Sequence, residues 1–187
     1  MARDRRPRYS LSPFQAEKVR RLFSIYDVRD NGVLERDDYA LLADRIARER
    51  GHEPGTAAHE RVTQELFTRF ERTKAVADFS RDGKIALDEW VDFFEIVIND
   101  DAAFEATVTR FIDMMFELFD FDDSSELDRD ELASFRRAFG VEAVDDDLFE
   151  RLDADGSGTL CASELREAIG AFFRSDDPDA PGSRFFG

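Results

Sequence analysis

Asp153-Ala-Asp155-Gly-Ser157-Gly158-Thr159-Leu160-Cys161-Ala-Ser-Glu164 carries an oxygen-bearing side chain at its first, third, fifth and twelfth positions. The seventh residue, Thr159, offers its backbone carbonyl. Gly158 stands at the sixth position, where such a loop turns sharply, and Glu164 closes it with two carboxylate oxygens. All of these donors are hard oxygens. Their spacing lets one short segment supply most of the roughly six to eight oxygens that Ca²⁺ takes.

Three further segments fit the same template. Residues 78–89 present Asp78, Ser80, Asp82, the Lys84 carbonyl and Glu89, with Gly83 at the turn. Residues 120–131 present Asp120, Asp122, Ser124, the Glu126 carbonyl, Asp128 and Glu131, with Ser125 replacing the glycine. Residues 27–38 are the least regular: Asp27, Asn31, the Val33 carbonyl and Asp38 are donors, but the third position is the cationic Arg29. The eighth position supplies an independent check, since it is Leu34, Ile85, Leu127 or Leu160, apolar every time. In paired EF-hands this residue forms a short strand with its partner loop, a requirement that coordination alone would not impose. The expected fold is therefore all-α, with four EF-hands in two paired halves packed into one compact unit and short loop–loop β-bridges.

The formal charge of −17 comes from 43 acidic against 26 basic residues, and much of the acid lies in the loops. Carboxylates gathered there repel one another until a cation arrives, which couples metal binding to folding. So acidic a chain is not expected to bind nucleic acid. Phenylalanine is abundant at 19 residues while methionine appears three times, which favours a stiff, closed core over a soft methionine-lined groove. Cys161 is the single cysteine, so no intrachain disulfide is available and a reducing, cytoplasmic setting fits. No apolar run suffices for a membrane span. Residues 1–11 read as a basic, solvated tail without the hydrophobic segment of a signal peptide. Arginine outnumbers lysine 23 to 3, a bias that points to a GC-rich bacterial source.

Helices are expected on both sides of each loop. Ser12-Pro13 reads as a cap and first turn, and Gly51, Pro54 and Gly55 mark a linker over 51–58. Asn99-Asp100-Asp101 is a brief break between two strongly apolar helices. The organisation is thus a first pair over 12–98, a second over 99–173, and a tail over 174–187. Two terminal aromatics, Phe185 and Phe186, are unfavourable to leave in water. Docking into an apolar cleft and a mobile tail are the two readings of them.

This four-loop layout, with a long stretch between the first two hands and an aromatic C-terminus, resembles the sarcoplasmic calcium-binding proteins, including their calerythrin-like bacterial members. The resemblance runs from about Phe14 to Phe186, and Asp38 at the close of the first loop is similar to that family's habit. It implies a compact cytosolic calcium buffer or signal modulator without catalytic activity. It also implies that one hand is often lost, frequently the second, whereas residues 78–89 look competent here.

Site chemistry ranks the loops. The fourth is expected to bind strongest. The third has the most carboxylates but strains Ser125 at the turn, by roughly 1–2 kcal/mol for a left-handed non-glycine residue. In the first, Asp38 is one methylene shorter than glutamate, which favours monodentate closure and smaller Mg²⁺; the alternative is a hand that merely pairs with the second loop. Two to four Ca²⁺ ions, with Mg²⁺ competing, are expected on a monomeric chain. His52 and His59 read as exposed linker residues, Cys161 as a passive loop thiol, and Trp90 as core. A calcium buffer leads over a calcium sensor that exposes apolar surface to a protein partner. An enzyme or ligand-carrying photoprotein ranks last, for want of a nucleophile–base pair.

Overall fold

The computed structural model describes residues 10–141 and 146–187, so the basic tail expected over 1–11 lies outside the described residues as far as residue 9. Helix α1 (Pro13–Tyr26) begins as its sequence dictates. The Ser12 hydroxyl accepts from the Gln15 amide at 3.1 Å and the Gln15 side chain accepts from the Ser12 amide at 2.9 Å. After the first loop come strand β1 (Val33–Leu34) and helix α2 (Arg36–Glu49). A linker leads to helix α3 (Ala57–Ala77), capped by Thr56.

The second loop contains strand β2 (Ile85–Ala86) and runs into helix α4 (Leu87–Asn99). Asp100 then caps helix α5 (Asp101–Phe119) by accepting from the Ala103 amide at 2.8 Å, so the break between the two helices is a single residue. Helices α6 (Arg129–Ala138), α7 (Asp146–Leu152) and α8 (Ala162–Arg174) flank the last two loops, and a 3-10 turn spans Pro181–Arg184.

The eighth-position residues do what their apolar character requires. Leu34 pairs with Ile85 in the antiparallel β1–β2 contact, and Leu127 pairs with Leu160 through amide–carbonyl bonds of 3.0 and 2.8 Å. All four are fully buried. The fold class expected from the sequence, helical with four hands and loop–loop bridges, is the one observed.

One apolar core takes buried residues from each of the eight helices among the described residues. Trp90 of α4 sits at its centre, donating its indole N–H to the Val19 carbonyl at 3.1 Å and packing on Phe23, Tyr26, Phe93 and Phe94. Phe94 in turn stacks on Phe173 of α8 at 5.0 Å, carrying the core from the first pair of hands into the second.

The chain's end closes this core. Phe185 and Phe186 are each 1 % exposed, with the Phe186 ring 4.7 Å from Phe172 and 5.5 Å from Phe111. Arg136 donates to the Phe185 carbonyl at 2.6 Å and Arg21 to the Phe186 carbonyl at 3.1 Å. Gly182 permits the close approach: a Cβ there would fall 1.9 Å from the Ala168 carbonyl oxygen of α8.

Candidate metal centres

In all four loops the backbone is left-handed at the fourth and sixth positions. The fourth-position residues are Asp30, Arg81, Asp123 and Gly156, and the sixth are Gly32, Gly83, Ser125 and Gly158. These turns aim successive amides inward at the first-position aspartate. In the fourth loop Asp153 accepts from the Ser157 and Gly158 amides at 3.0 and 2.9 Å, and Asp155 accepts from Ser157 at 3.0 Å. Glu164 reaches back from α8, one oxygen accepting from Ala154 and the other from Cys161, both at 2.9 Å. The Ser157 hydroxyl lies 3.0 Å from the Thr159 carbonyl and 3.4 Å from an Asp153 oxygen.

The third loop repeats this wiring. Asp120 accepts from Ser124 and Ser125 at 3.0 and 2.8 Å, and Asp122 from Ser124 at 3.0 Å. Glu131 accepts from Phe121 and Asp128 at 2.6 and 2.9 Å, and the Ser124 hydroxyl meets the Glu126 carbonyl at 3.2 Å. Asp128 also caps α6, accepting from the Glu131 amide at 2.9 Å. Sequence reasoning also missed that the Glu126 side chain accepts from the Thr159 hydroxyl, which ties the third loop to the fourth.

Carboxylate oxygens of Asp120, Asp122 and Glu131 lie within 4.8 Å of one another, as do those of Asp153, Asp155 and Glu164. At that separation each pair of charges repels by about 1 kcal/mol even at the dielectric of water. Hydrogen bonds favour the ionised form of Asp153, Asp122 and Glu164 despite this. The Gly158 and Ser157 amides keep the Asp153 carboxyl below its usual range against the opposing effect of burial. The Ser124 hydroxyl and amide do the same for Asp122. For Glu164, burial pushes the carboxyl up, but the Cys161 and Ala154 contacts outweigh it. An all-oxygen donor set, with neither histidine nor thiolate in it, fits a hard divalent cation such as Ca²⁺.

Ser125 turns with φ +65° where the other loops have glycine. Relieving a strain of roughly 1–2 kcal/mol is worth about tenfold in affinity. Ser125→Gly is accordingly expected to tighten calcium at the third loop in a titration that resolves the sites; unchanged or weaker affinity there contradicts the strain argument.

The second loop is more open. Asp78 accepts from Arg81, Asp82 and Gly83 at 2.6, 3.2 and 2.9 Å, Ser80 donates to it at 3.3 Å, and Asp82 accepts from Lys84 at 2.9 Å. Glu89 holds the Ser80 and Ala86 amides at 2.7 and 3.0 Å. Its three carboxylates do not converge as those of the third and fourth loops do. This loop has the donors but a looser arrangement of them.

The first loop has its own cation. Asp27 accepts from Asn31 and Gly32 at 3.0 and 2.8 Å, and Asn31 from Val33 at 3.1 Å, so the turn is formed as in the other loops. Arg29, however, turns inward. Its guanidinium lies 3.2 and 3.3 Å from the two oxygens of the fully buried Asp38, 3.1 Å from Asp37, and in contact with Glu35. The bonds to Asp38 and Glu35 raise the guanidinium's pKa further above its ordinary value. Glu35 also pairs with Lys84 at 2.8 Å and thereby bridges the first loop to the second. Arg29 takes up the carboxylate that would close this loop on a metal. The double change Arg29→Asp with Asp38→Glu is expected to raise calcium stoichiometry by one in equilibrium dialysis. No added calcium would show that coordination is not what limits this loop.

Of the other singled-out residues, His59 stands apart from these clusters, whereas Cys161 lies within the fourth loop with its amide on Glu164. His59 pairs with Asp44 at 2.7 Å at the start of α3, and Cys161 caps α8 with its thiol 2.9 Å from the Ser163 hydroxyl. Among the described residues no helix is long and apolar enough to cross a membrane.

No protein-family model matches the chain. Calerythrin from Saccharopolyspora erythraea is 23% identical over 160 residues, covering 84% of this chain and 90% of that protein. Obelin from Obelia geniculata is 26% identical over 168 residues, covering 86% and 84%. Sarcoplasmic calcium-binding protein 1 from Astacus leptodactylus is 26% identical over 175 residues, covering 87% and 90%. Among solved structures, the sarcoplasmic calcium-binding protein from amphioxus superposes with a TM-score of 0.72 at 19% identity, covering 95% of this chain and 99% of that one. The coelenterazine-binding protein from Renilla muelleri, in its calcium-loaded apo form, gives a TM-score of 0.73 at 19% identity with the same coverage. These structures share the fold.

Proposed function

We propose that this chain, an EF-hand calcium-binding protein resembling calerythrin and the sarcoplasmic calcium-binding proteins, is a cytoplasmic Ca²⁺ buffer without catalytic activity. It works as a monomer built of two paired units, residues 12–98 and 99–173, with the tail 174–187 packed against them. The third and fourth loops hold the tightest ions through Asp120, Asp122, Ser124, Glu126 and Glu131, and through Asp153, Asp155, Ser157, Thr159 and Glu164. The second holds one more weakly through Asp78, Ser80, Asp82, Lys84 and Glu89, with Mg²⁺ competing. The first remains a pairing hand while Arg29 occupies Asp38.

The observation that carries buffer over sensor is the docked C-terminus. A sensor must expose an apolar face when it binds calcium. Here Phe185 and Phe186 fill the apolar space beside α6 and α8, and Arg136 and Arg21 tie their carbonyls down. The test is retention on a phenyl matrix with calcium and with chelator. Equal, weak retention is expected in both. Calcium-dependent retention would instead mark a sensor with a protein partner.

A further inference from the structure

An apolar cavity of about 140 Å³ is lined by residues of α1 to α5, α8 and the C-terminus. Its walls include Tyr26, Tyr39, Trp90, Phe111 and Phe186, drawn from four helices and the C-terminus. A water needs roughly 10–15 Å³ by such a measure, and an apolar cavity near this size admits a benzene-sized body. The void is therefore large enough for an organic occupant.

Its rim has a charge opposite to that of the chain. In a protein of net charge −17, Arg69, Arg72 and Arg110 all reach this opening, and no acidic residue lines it. Arg69 is fixed in place: its terminal nitrogens bond Glu65, Glu117 and the Arg110 carbonyl at 2.7, 2.8 and 3.2 Å. Its Nε is buried without a hydrogen-bond partner. A buried, orphaned donor on a cation is disfavoured unless something else satisfies it. Arg72 and Arg110 are exposed at the rim and form no ion pair among the described residues. Burial raises the pKa of the Tyr26 and Tyr39 phenols, so both stay protonated within the wall.

We propose that this cavity binds a small apolar carboxylate, its hydrocarbon body among Trp90, Phe111 and Phe186 and its anionic head between Arg72 and Arg110. Carboxylate geometry suits the planar guanidinium fork. The apolar walls supply affinity and the arginines supply selection for the anion.

Trp90 is the single tryptophan and stands in the cavity wall, so its fluorescence reports occupancy. The calcium-loaded full chain is titrated with benzoate and, separately, with benzyl alcohol, which has the same ring without the charge. Benzoate is expected to saturate the Trp90 signal and to bind about tenfold tighter than benzyl alcohol, the ratio one charged hydrogen bond brings. Arg72→Ala with Arg110→Ala is expected to erase that difference while leaving benzyl alcohol affinity and calcium stoichiometry unchanged, with each single substitution intermediate. No saturable benzoate signal, equal affinity for the two probes, or a benzoate preference that survives the double substitution would each overturn the proposal.

Discussion

Glu164→Gln is expected to weaken calcium at the fourth loop by about 100-fold, because affinity in such loops follows ligand charge and the closing carboxylate supplies two oxygens. Calorimetry would register one site fewer in the tight range while the third loop still titrates. Glu164 also holds the Ala154 and Cys161 amides at 2.9 Å, so the loop is organised by the same group that would close on the ion. An amide offers one acceptor oxygen in place of two, and the variant therefore also loosens the start of α8. Glu131→Gln at the third loop is its counterpart, with the Phe121 and Asp128 amides in the corresponding places. If both variants bound calcium as the parent does, the convergent carboxylates would not be the metal sites.

The second large effect belongs to the C-terminus. Deleting residues 180–187 removes two phenylalanines that are each 1 % exposed and lie 5.1 Å apart, ring to ring. Truncating one buried phenylalanine to alanine costs about 3–5 kcal/mol. Two in contact are not additive, yet a loss of about 5 kcal/mol is a large part of the roughly 5–15 kcal/mol that stabilises a domain. For a chain of this size that corresponds to a fall in Tm of about 10–20 °C. Gly182→Ala tests the same docking at full chain length, since its Cβ would meet the Ala168 backbone at 1.9 Å. Both variants should melt early. A truncated chain with unchanged Tm would mean that the tail contributes nothing in solution.

The loops were legible because coordination and turning impose residue types at fixed positions, and because the eighth position must be apolar for a separate reason. Leu34, Ile85, Leu127 and Leu160 satisfy it and pair as that reason requires. Ser125 was legible as strained for the same cause, and it does turn left-handed. The direction of Arg29 was not legible. Its side chain is long enough to point to solvent or inward, and the choice depends on where the fold puts Glu35, Asp37 and Asp38. The arginine rim was hidden for a related reason: Arg69 and Arg72 lie on α3 and Arg110 on α5, so packing alone brings them together. Asp128 shows the limit of template matching, because a ninth-position carboxylate that fits a ligand pattern also fits a helix cap.

The most direct measurement is a calorimetric calcium titration of the metal-stripped full chain in about 1 mM Mg²⁺. A buffer predicts two or three sites near 10⁻⁸ M, weakened by magnesium, with the first loop silent while Arg29 is in place. Sites confined to roughly 10⁻⁷–10⁻⁵ M would assign the chain to the sensor range, and no calcium uptake at all would contradict the reading of the loops themselves.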